Sequence, residues 1–287
     1  MAQIGTIKLQ TQNSGVVDVP VFDTGDSGSG IYEFVRVETT SGTGFIPTTD
    51  PADATYPFLR VQSQNQGVVA LTDTENAIPD SAVSQYDATK ISGSDGNAIT
   101  SWADQLASND LSGNGSYKTN IINNNAVVRH DGTDDEFSNT NIFESQPYTI
   151  SGVFEWDSVG QFETIWTVAD GTSAVYFGSS GFGGGSYRLN NDGSDIVGGT
   201  TDENPHIFVT IVDGANSSIR IDGNEVASGG VGSTDLDGFG TGRRADDGGF
   251  FWGGDIGELV VYNDDIADTG DLTSEEQRLS DKWGISI

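Results

Sequence analysis

The chain has no cysteine, so disulfides, thiolate zinc sites and CxxC redox chemistry are all excluded. It has two histidines, His130 and His206, far apart in the chain, which rules out a multi-histidine zinc centre and leaves two candidates for an imidazole base. Basic residues are scarce as well, 12 Lys and Arg against 43 Asp and Glu, for a net charge of −31. Phosphate recognition needs a basic face, so nucleic acid is not an expected partner. No window approaches the ~20 apolar residues of a membrane span, and membrane insertion is not expected. Met1 leads into an alternating segment without the basic start and apolar run of a secretory leader, so no signal peptide is expected.

What the chain does have is glycine, 39 residues of it, and acids dispersed among short apolar alternations. Gly- and Asp-rich turns between β-propensive runs define an all-β chain. An even acidic surface with only Lys8, Lys90, Lys118 and Lys282 fits a protein working in concentrated salt. There a Debye length of roughly 3 Å at 1 M screens the self-repulsion.

Residues 1–71 read as a small β-barrel or sandwich module. Its evidence is the alternation of Val17, Val19 and Val21 and the runs Tyr32–Val37, Phe58–Val61 and Gly67–Leu71. So small a unit gains from burial against a neighbour, which gives it an anchoring or oligomerising role. Residues 72–84 are polar without alternation and read as a linker. Residues 85–287 read as a larger β domain. Its centre is Ile207–Tyr262, where Asp222-Gly223 between alternating apolar residues marks a hairpin.

In that second unit, Tyr86-Asp87-Ala88, Gly93-Ser94-Asp95-Gly96, Ser101-Trp102-Ala103-Asp104 and Asp131-Gly132-Thr133-Asp134-Asp135 resemble the opening of laminin-G-like (LamG) domains of the concanavalin A-like superfamily. Tyr148–Trp156 is similar to the family's early core strand, with Tyr148, Ile150, Phe154 and Trp156 on one face. Gly253–Asn263 is similar to a late strand, and Leu272–Ile285 to the closing helix that ends in Lys-Trp-Gly-Ile. The resemblance covers roughly the last two hundred residues and implies a jelly-roll β-sandwich with a short C-terminal helix. It does not imply an activity.

The closing helix also follows from its own residues. Thr273 and Glu276 have capping-box spacing, Leu279 and Trp283 share a face, and Gly284 supplies a left-handed stop.

Concanavalin A-like folds include glucanases with Glu-x-Asp-x-Glu along one strand. Here Glu155-Trp156-Asp157 is followed by Ser158-Val159-Gly160, so the second Glu is missing. Glu163 could replace it only if the intervening segment folds back. The reading is therefore not an enzyme, with glycoside hydrolysis kept as an alternative.

Jelly rolls of this kind hold Ca²⁺ or another structural cation at loop oxygens. The candidate ligands are Asp131, Asp134 and Asp135, and Asp246 with Asp247. No cofactor is required. Candidate sugar-stacking and sugar-bonding residues are Phe182, Tyr187, Arg243, Arg244, Phe250 and Phe251, with Trp252 assigned to the core.

Segments of the first unit, among them Gly5-Thr6-Ile7-Lys8-Leu9 and Tyr32-Glu33-Phe34-Val35, resemble the small modules that precede LamG-type domains in structural proteins of tailed viruses. With the halophilic composition, this implies a virion surface protein of a tailed archaeal virus, assembled in the host cytoplasm. It would serve as a head turret, vertex spike or tail-associated fibre. The first unit would bind other virion proteins, and the second would bind a host surface glycan or glycoprotein. Such a protein is expected to be a homo-oligomer, pentameric at a head vertex and trimeric or hexameric at a tail. A cellular adhesin or lectin is a further alternative.

Overall fold

The structure is a computed structural model. It describes strands between residues 2 and 72 at the backbone level, and residues 78–287 except 160–161, 171–172, 180–184 and 247. The chain divides into two units, Met1–Ala77 and Ile78–Ile287.

In the first unit, strands β1 (Ala2–Thr11), β2 (Gly15–Asp23), β3 (Glu33–Thr39) and β4 (Gly42–Thr48) form a four-stranded antiparallel sheet in chain order. Strands β5 (Phe58–Gln62) and β6 (Val68–Thr72) form a separate antiparallel pair.

The second unit begins earlier than the sequence boundary of 85. Strand β7 (Ala82–Asp87) begins inside the stretch read as linker 72–84 and pairs with the last strand of the domain. Ile78 and Ala82 pack on a buried cluster containing Val260 and Ile266. The strand lacks visible alternation because Ala82 packs on this cluster while Val83 and Tyr86 pack on the main core.

The remaining strands are β8 (Ala98–Trp102), β9 (Leu111–Ile122), β10 (Asn125–Asp131), β11 (Glu136–Glu144) and β12 (Tyr148–Trp156). They continue with β13 (Thr164–Thr167), β14 (Val175–Ser179), β15 (Tyr187–Asn191), β16 (Ser194–Gly198) and β17 (His206–Val212). Then come β18 (Ser217–Ile221), β19 (Asn224–Gly229), β20 (Leu236–Thr241) and β21 (Gly253–Tyr262). A four-residue helix α1 (Ile266–Thr269) and the longer α2 (Leu272–Trp283) close the chain.

The domain is an antiparallel β-sandwich, made from one hydrogen-bonded path in the order β16-β15-β14-β13-β20-β11-β9-β10-β21-β12-β17-β18-β19. The path folds over its core until its ends meet, with Gly198 of β16 against the Val226 carbonyl of β19. Tyr148, Ile150, Phe154 and Trp156 all enter the main core, as the period-two reading of β12 requires. Asp222 and Gly223 turn β18 into β19 with φ of 47° and 74°, both in the left-handed region that an Asp-Gly hairpin supplies.

Helix α2 packs Leu279 and Trp283, both fully buried, on Ile122, Val127, Val153 and Ile207. Gly257 makes this docking possible, because a Cβ there would lie 2.5 Å from Cη2 of Trp283. The capping box does not form: the helix starts at Leu272 after Asp271, and Glu276 reaches Arg220 Nε at 2.7 Å instead. Gly284 ends it with φ 67°.

An ion network beneath the helix was not legible in the sequence. Arg278 gives two N–H groups to Glu275 (2.7 and 2.9 Å) and one to Glu258 (2.8 Å). Lys282 joins Glu258 and Asp87, at 2.5 and 2.8 Å. Among the described residues no helix is long and apolar enough to cross a membrane, which says nothing of strands.

Candidate functional site

The registers of β14 and β15 decide which side chains reach their outer face. Tyr176 pairs with Asn190 and Gly178 with Arg188, so these share one face, while Val175, Phe177, Tyr187 and Leu189 point into the core. Two further pieces build walls around the outer face. Phe162 enters just before β13, and a hairpin between β20 and β21 is closed by a bridge from Arg244 to Gly249. That hairpin is tied to β13 by the Thr164 N–H donating to the Phe250 carbonyl, 3.2 Å.

The result is a cavity of about 350 Å³ lined by Phe162, Tyr176, Arg188, Asn190, Arg244 and Phe250, with Ala174 and Gly193 at its margin. Tyr176 is its buried floor. Phe250 is 40% exposed and meets Phe162 in a tilted ring contact with centroids 4.5 Å apart. The two arginines lie over the rings: Arg188 is 5.4 Å from Phe162 and 5.7 Å from Tyr176, and Arg244 is 4.8 Å from Tyr176 and 5.6 Å from Phe250. Each guanidinium also has a carboxylate, Asp195 at 2.9 Å from Arg188 Nε and Asp246 at 2.6 and 2.7 Å from Arg244.

Phe250 has a φ of 56°, a conformation that costs a bulky side chain free energy of order 1–3 kcal/mol. The bridge and the Thr164 bond hold it there, with its side chain lining the cavity.

Of the sequence candidates, Arg244 and Phe250 meet in this cavity. Tyr187 does not: it is 1% exposed and packs on Phe177 and Trp156, because its position in β15 points inward. Arg243 pairs with Glu136 and Phe251 is half-buried, and neither lines the cavity. Phe182 lies outside the described residues.

Sequence reasoning missed Phe162, Tyr176, Arg188 and Asn190. The available signal was the alternation Tyr187-Arg188-Leu189-Asn190, which sets Arg188 and Asn190 opposite Leu189 once Leu189 is assigned to the core.

The acidic candidates divide in the same way. Asp131, Asp134 and Asp135 do converge, their carboxylates within 4.8 Å of one another. Asp131 accepts the backbone N–H groups of Thr133 (2.8 Å) and Asp134 (3.2 Å), which hold its carboxyl below the ordinary range. Burial and the charge of Asp131 push Asp135 up. This all-oxygen donor set suits a hard cation, and it would supply only part of the six to eight ligands that Ca²⁺ takes. The second pair is different. Asp246 gives both oxygens to Arg244 and so neutralises a cation instead of binding one, and Asp247 lies outside the described residues.

Neither histidine presents a free base to solvent. His130 is fully buried between Phe137 and Trp252, and burial pushes it down to about 3. Burial pulls His206 down too, but its bonds to Asp222 (2.6 Å) and Asp202 (3.1 Å) outweigh this and leave it raised.

Asp157 and Thr164, on either side of a segment whose residues 160–161 lie outside the described residues, both bond the stretch 250–253. Asp157 N–H bonds Gly253, Thr164 N–H bonds Phe250, and Glu163 feels the charge of Asp157. Burial of Glu163, chiefly, pushes it up to about 7, and its Oε2 has no hydrogen-bond partner. At 7% exposure this carboxyl faces the interior. Glu155 stands in a cross-strand row with Asp255 and Arg129, in which Arg129 pairs with Asp255.

No protein-family model and no curated protein matches the chain. Among solved structures it is similar to a GH54 α-L-arabinofuranosidase variant soaked with 4-nitrophenyl α-L-arabinofuranoside. The TM-score is 0.50 at 14% identity, over 63% of this chain and 51% of the other. Domain 4 of an extracellular GH43 arabinanase from Geobacillus stearothermophilus, in complex with arabinotriose, aligns at TM-score 0.42 and 17% identity, covering 63% of this chain and 91% of the domain. The binding domain of botulinum neurotoxin DC aligns at TM-score 0.47 and 14% identity, covering 69% and 51%. The first of these is a likeness of fold alone. The chain spans about half the length of that enzyme.

Proposed function

We propose that this chain is a display protein whose second unit recognises saccharides and whose first unit attaches it to a larger assembly. The observation that carries this reading is the cavity of Phe162, Tyr176 and Phe250 with two ring-stacked arginines, opened by a strained, exposed aromatic. Exposed rings stack on sugar C–H faces, and guanidinium edges bond hydroxyls. A β-sandwich neighbour soaked with an arabinofuranoside fits the same reading. Substituting Phe250→Ala tests it. Saturation-transfer NMR on a glycan panel is expected to lose its signal with folding intact, and an unchanged signal overturns the assignment.

The larger assembly we propose is the virion of a tailed archaeal virus, with the protein at a head vertex or on the tail. This rests on the LamG-like and viral-module resemblances of the sequence and on its acidic, lysine-poor composition. Several linked copies would turn weak single-site contacts into firm attachment to a host glycan or glycoprotein. Imaging purified particles with a tagged chain tests location and copy number together. Absence of the tag from every particle overturns the placement.

The enzymatic alternative has one observation in its favour, the raised carboxyl of Glu163 beside Asp157. Its burial argues for binding over hydrolysis. Glu163-dependent release of reducing sugar would reverse that preference.

A further inference from the structure

Resting on the saccharide reading, we propose that the cavity selects an uncharged sugar ring carrying a pair of neighbouring hydroxyls and discriminates against uronates and sulfated sugars. Two arginines in one cavity would ordinarily suggest an anionic ligand. The contacts of these two say otherwise.

Arg188 stands against Asp195, and Arg244 holds Asp246 in a two-point pair. Both guanidiniums also lie over aromatic rings, Arg188 over Phe162 and Tyr176 and Arg244 over Tyr176 and Phe250. Each guanidinium charge is thus balanced by a carboxylate, so an anion entering the cavity would gain little net attraction from either. It would do so on a chain of charge −31, whose long-range field repels anions.

A donor–acceptor pair with cancelled charge matches a different chemistry. A guanidinium edge donates to one hydroxyl oxygen while the adjoining carboxylate, with lone pairs left over, accepts the proton of the next. Neighbouring ring hydroxyls present that alternation. Asn190, 3% exposed and on the cavity wall, adds an amide able to donate and accept without charge. Phe250 then covers the ring's C–H face. At about 350 Å³ the cavity is at the small end of ligand pockets, roughly 300–1,000 Å³, so it takes a terminal residue or a short stretch of a glycan.

Calorimetry and saturation-transfer NMR on the full chain test this. The probes are methyl glycosides of neutral hexoses and of arabinofuranose, set against methyl glucuronide, methyl galacturonide and a sulfated hexoside. All are measured at about 1 M and about 3 M NaCl, where the Debye length is already a few ångströms or less. Neutral glycosides are expected to bind at least about tenfold more tightly than the acidic ones, with less than about a twofold change between salts.

Asp246→Asn and, independently, Asp195→Asn each remove one carboxylate charge from beside a guanidinium. They are expected to weaken neutral binding and strengthen uronate binding, and the second variant guards against misfolding of the first. Equal or tighter binding of uronate or sulfated sugar by the native chain, dependent on Phe250, overturns this proposal and leaves the saccharide reading standing. No Phe250-dependent binding of any probe overturns both.

Discussion

Arg244 lies 4.8 Å from the centre of the Tyr176 ring while its edge bonds Asp246 at 2.6 and 2.7 Å. The ring and the carboxylate together fix a flexible side chain in one orientation, something an ammonium could not reproduce. Arg244→Lys is therefore expected to retain the charge and lose at least about tenfold in saccharide affinity, with thermal stability changed by less than about 1 kcal/mol. Paired calorimetry and thermal unfolding check it.

Phe250 also separates binding from stability. Asn tolerates the left-handed backbone that Phe occupies at a cost, so Phe250→Asn relieves strain while removing the ring's contact with Phe162. The expected outcome is a stability change below about 1 kcal/mol together with loss of binding. Denaturant unfolding compared with ligand titration reads both.

Glu258 anchors the C-terminal helix through Arg278, Lys282 and the indole N–H of Trp283, and accepts a further bond from Gln85 of β7. Burial alone would raise its pKa, but the charges of Arg278 and Lys282 dominate and depress it to about 2. A depressed carboxyl contributes stability that is complete above its unfolded value of 4.5 and is lost as pH falls toward 2. Glu258→Gln strips the cations of their main partner and is expected to cost about 3–5 kcal/mol at neutral pH. It should also flatten the acid limb of the stability curve, as urea unfolding at stepped pH would show.

Glu163 should act on the other side of the curve. Its pKa is raised to about 7, so between pH 4.5 and 7 the folded state holds a proton that the unfolded state has released, and stability falls as pH rises. Glu163→Gln keeps the shape and removes the titration. The variant is expected to gain on the native chain as pH rises through that window, and a parallel pair of curves would count against the buried neutral carboxyl.

The charge of −31 yields a prediction about solvent. If salt screening holds the fold together, dialysis into dilute buffer removes the tertiary circular-dichroism signal, and returning the salt restores it. Full stability in dilute buffer would sink the halophilic reading.

Much of the sandwich could be read from local pattern. The β12 alternation, the Asp222-Gly223 hairpin, and the Leu279 and Trp283 face with its Gly284 stop depend on neighbours in sequence, and each stands in the fold as its spacing requires. Residues whose assignment depended on a distant partner went differently. Ala82–Asp87 became a strand because Glu258–Tyr262 offered it an edge, and Glu276 left the capping box because Arg220 came within reach.

By itself, then, the sequence determined an acidic, cysteine-free, turn-rich β chain whose strands alternate and whose last helix is pinned by two apolar residues. Only the tertiary structure decided the site. Alternation states that Tyr187 and Arg188 face opposite ways, but not which face is core. It took the packing of Phe177 and Trp156 to bury Tyr187, and the approach of a hairpin distant in the chain, carrying Arg244 and Phe250, to turn Arg188 and Tyr176 into the walls of a cavity.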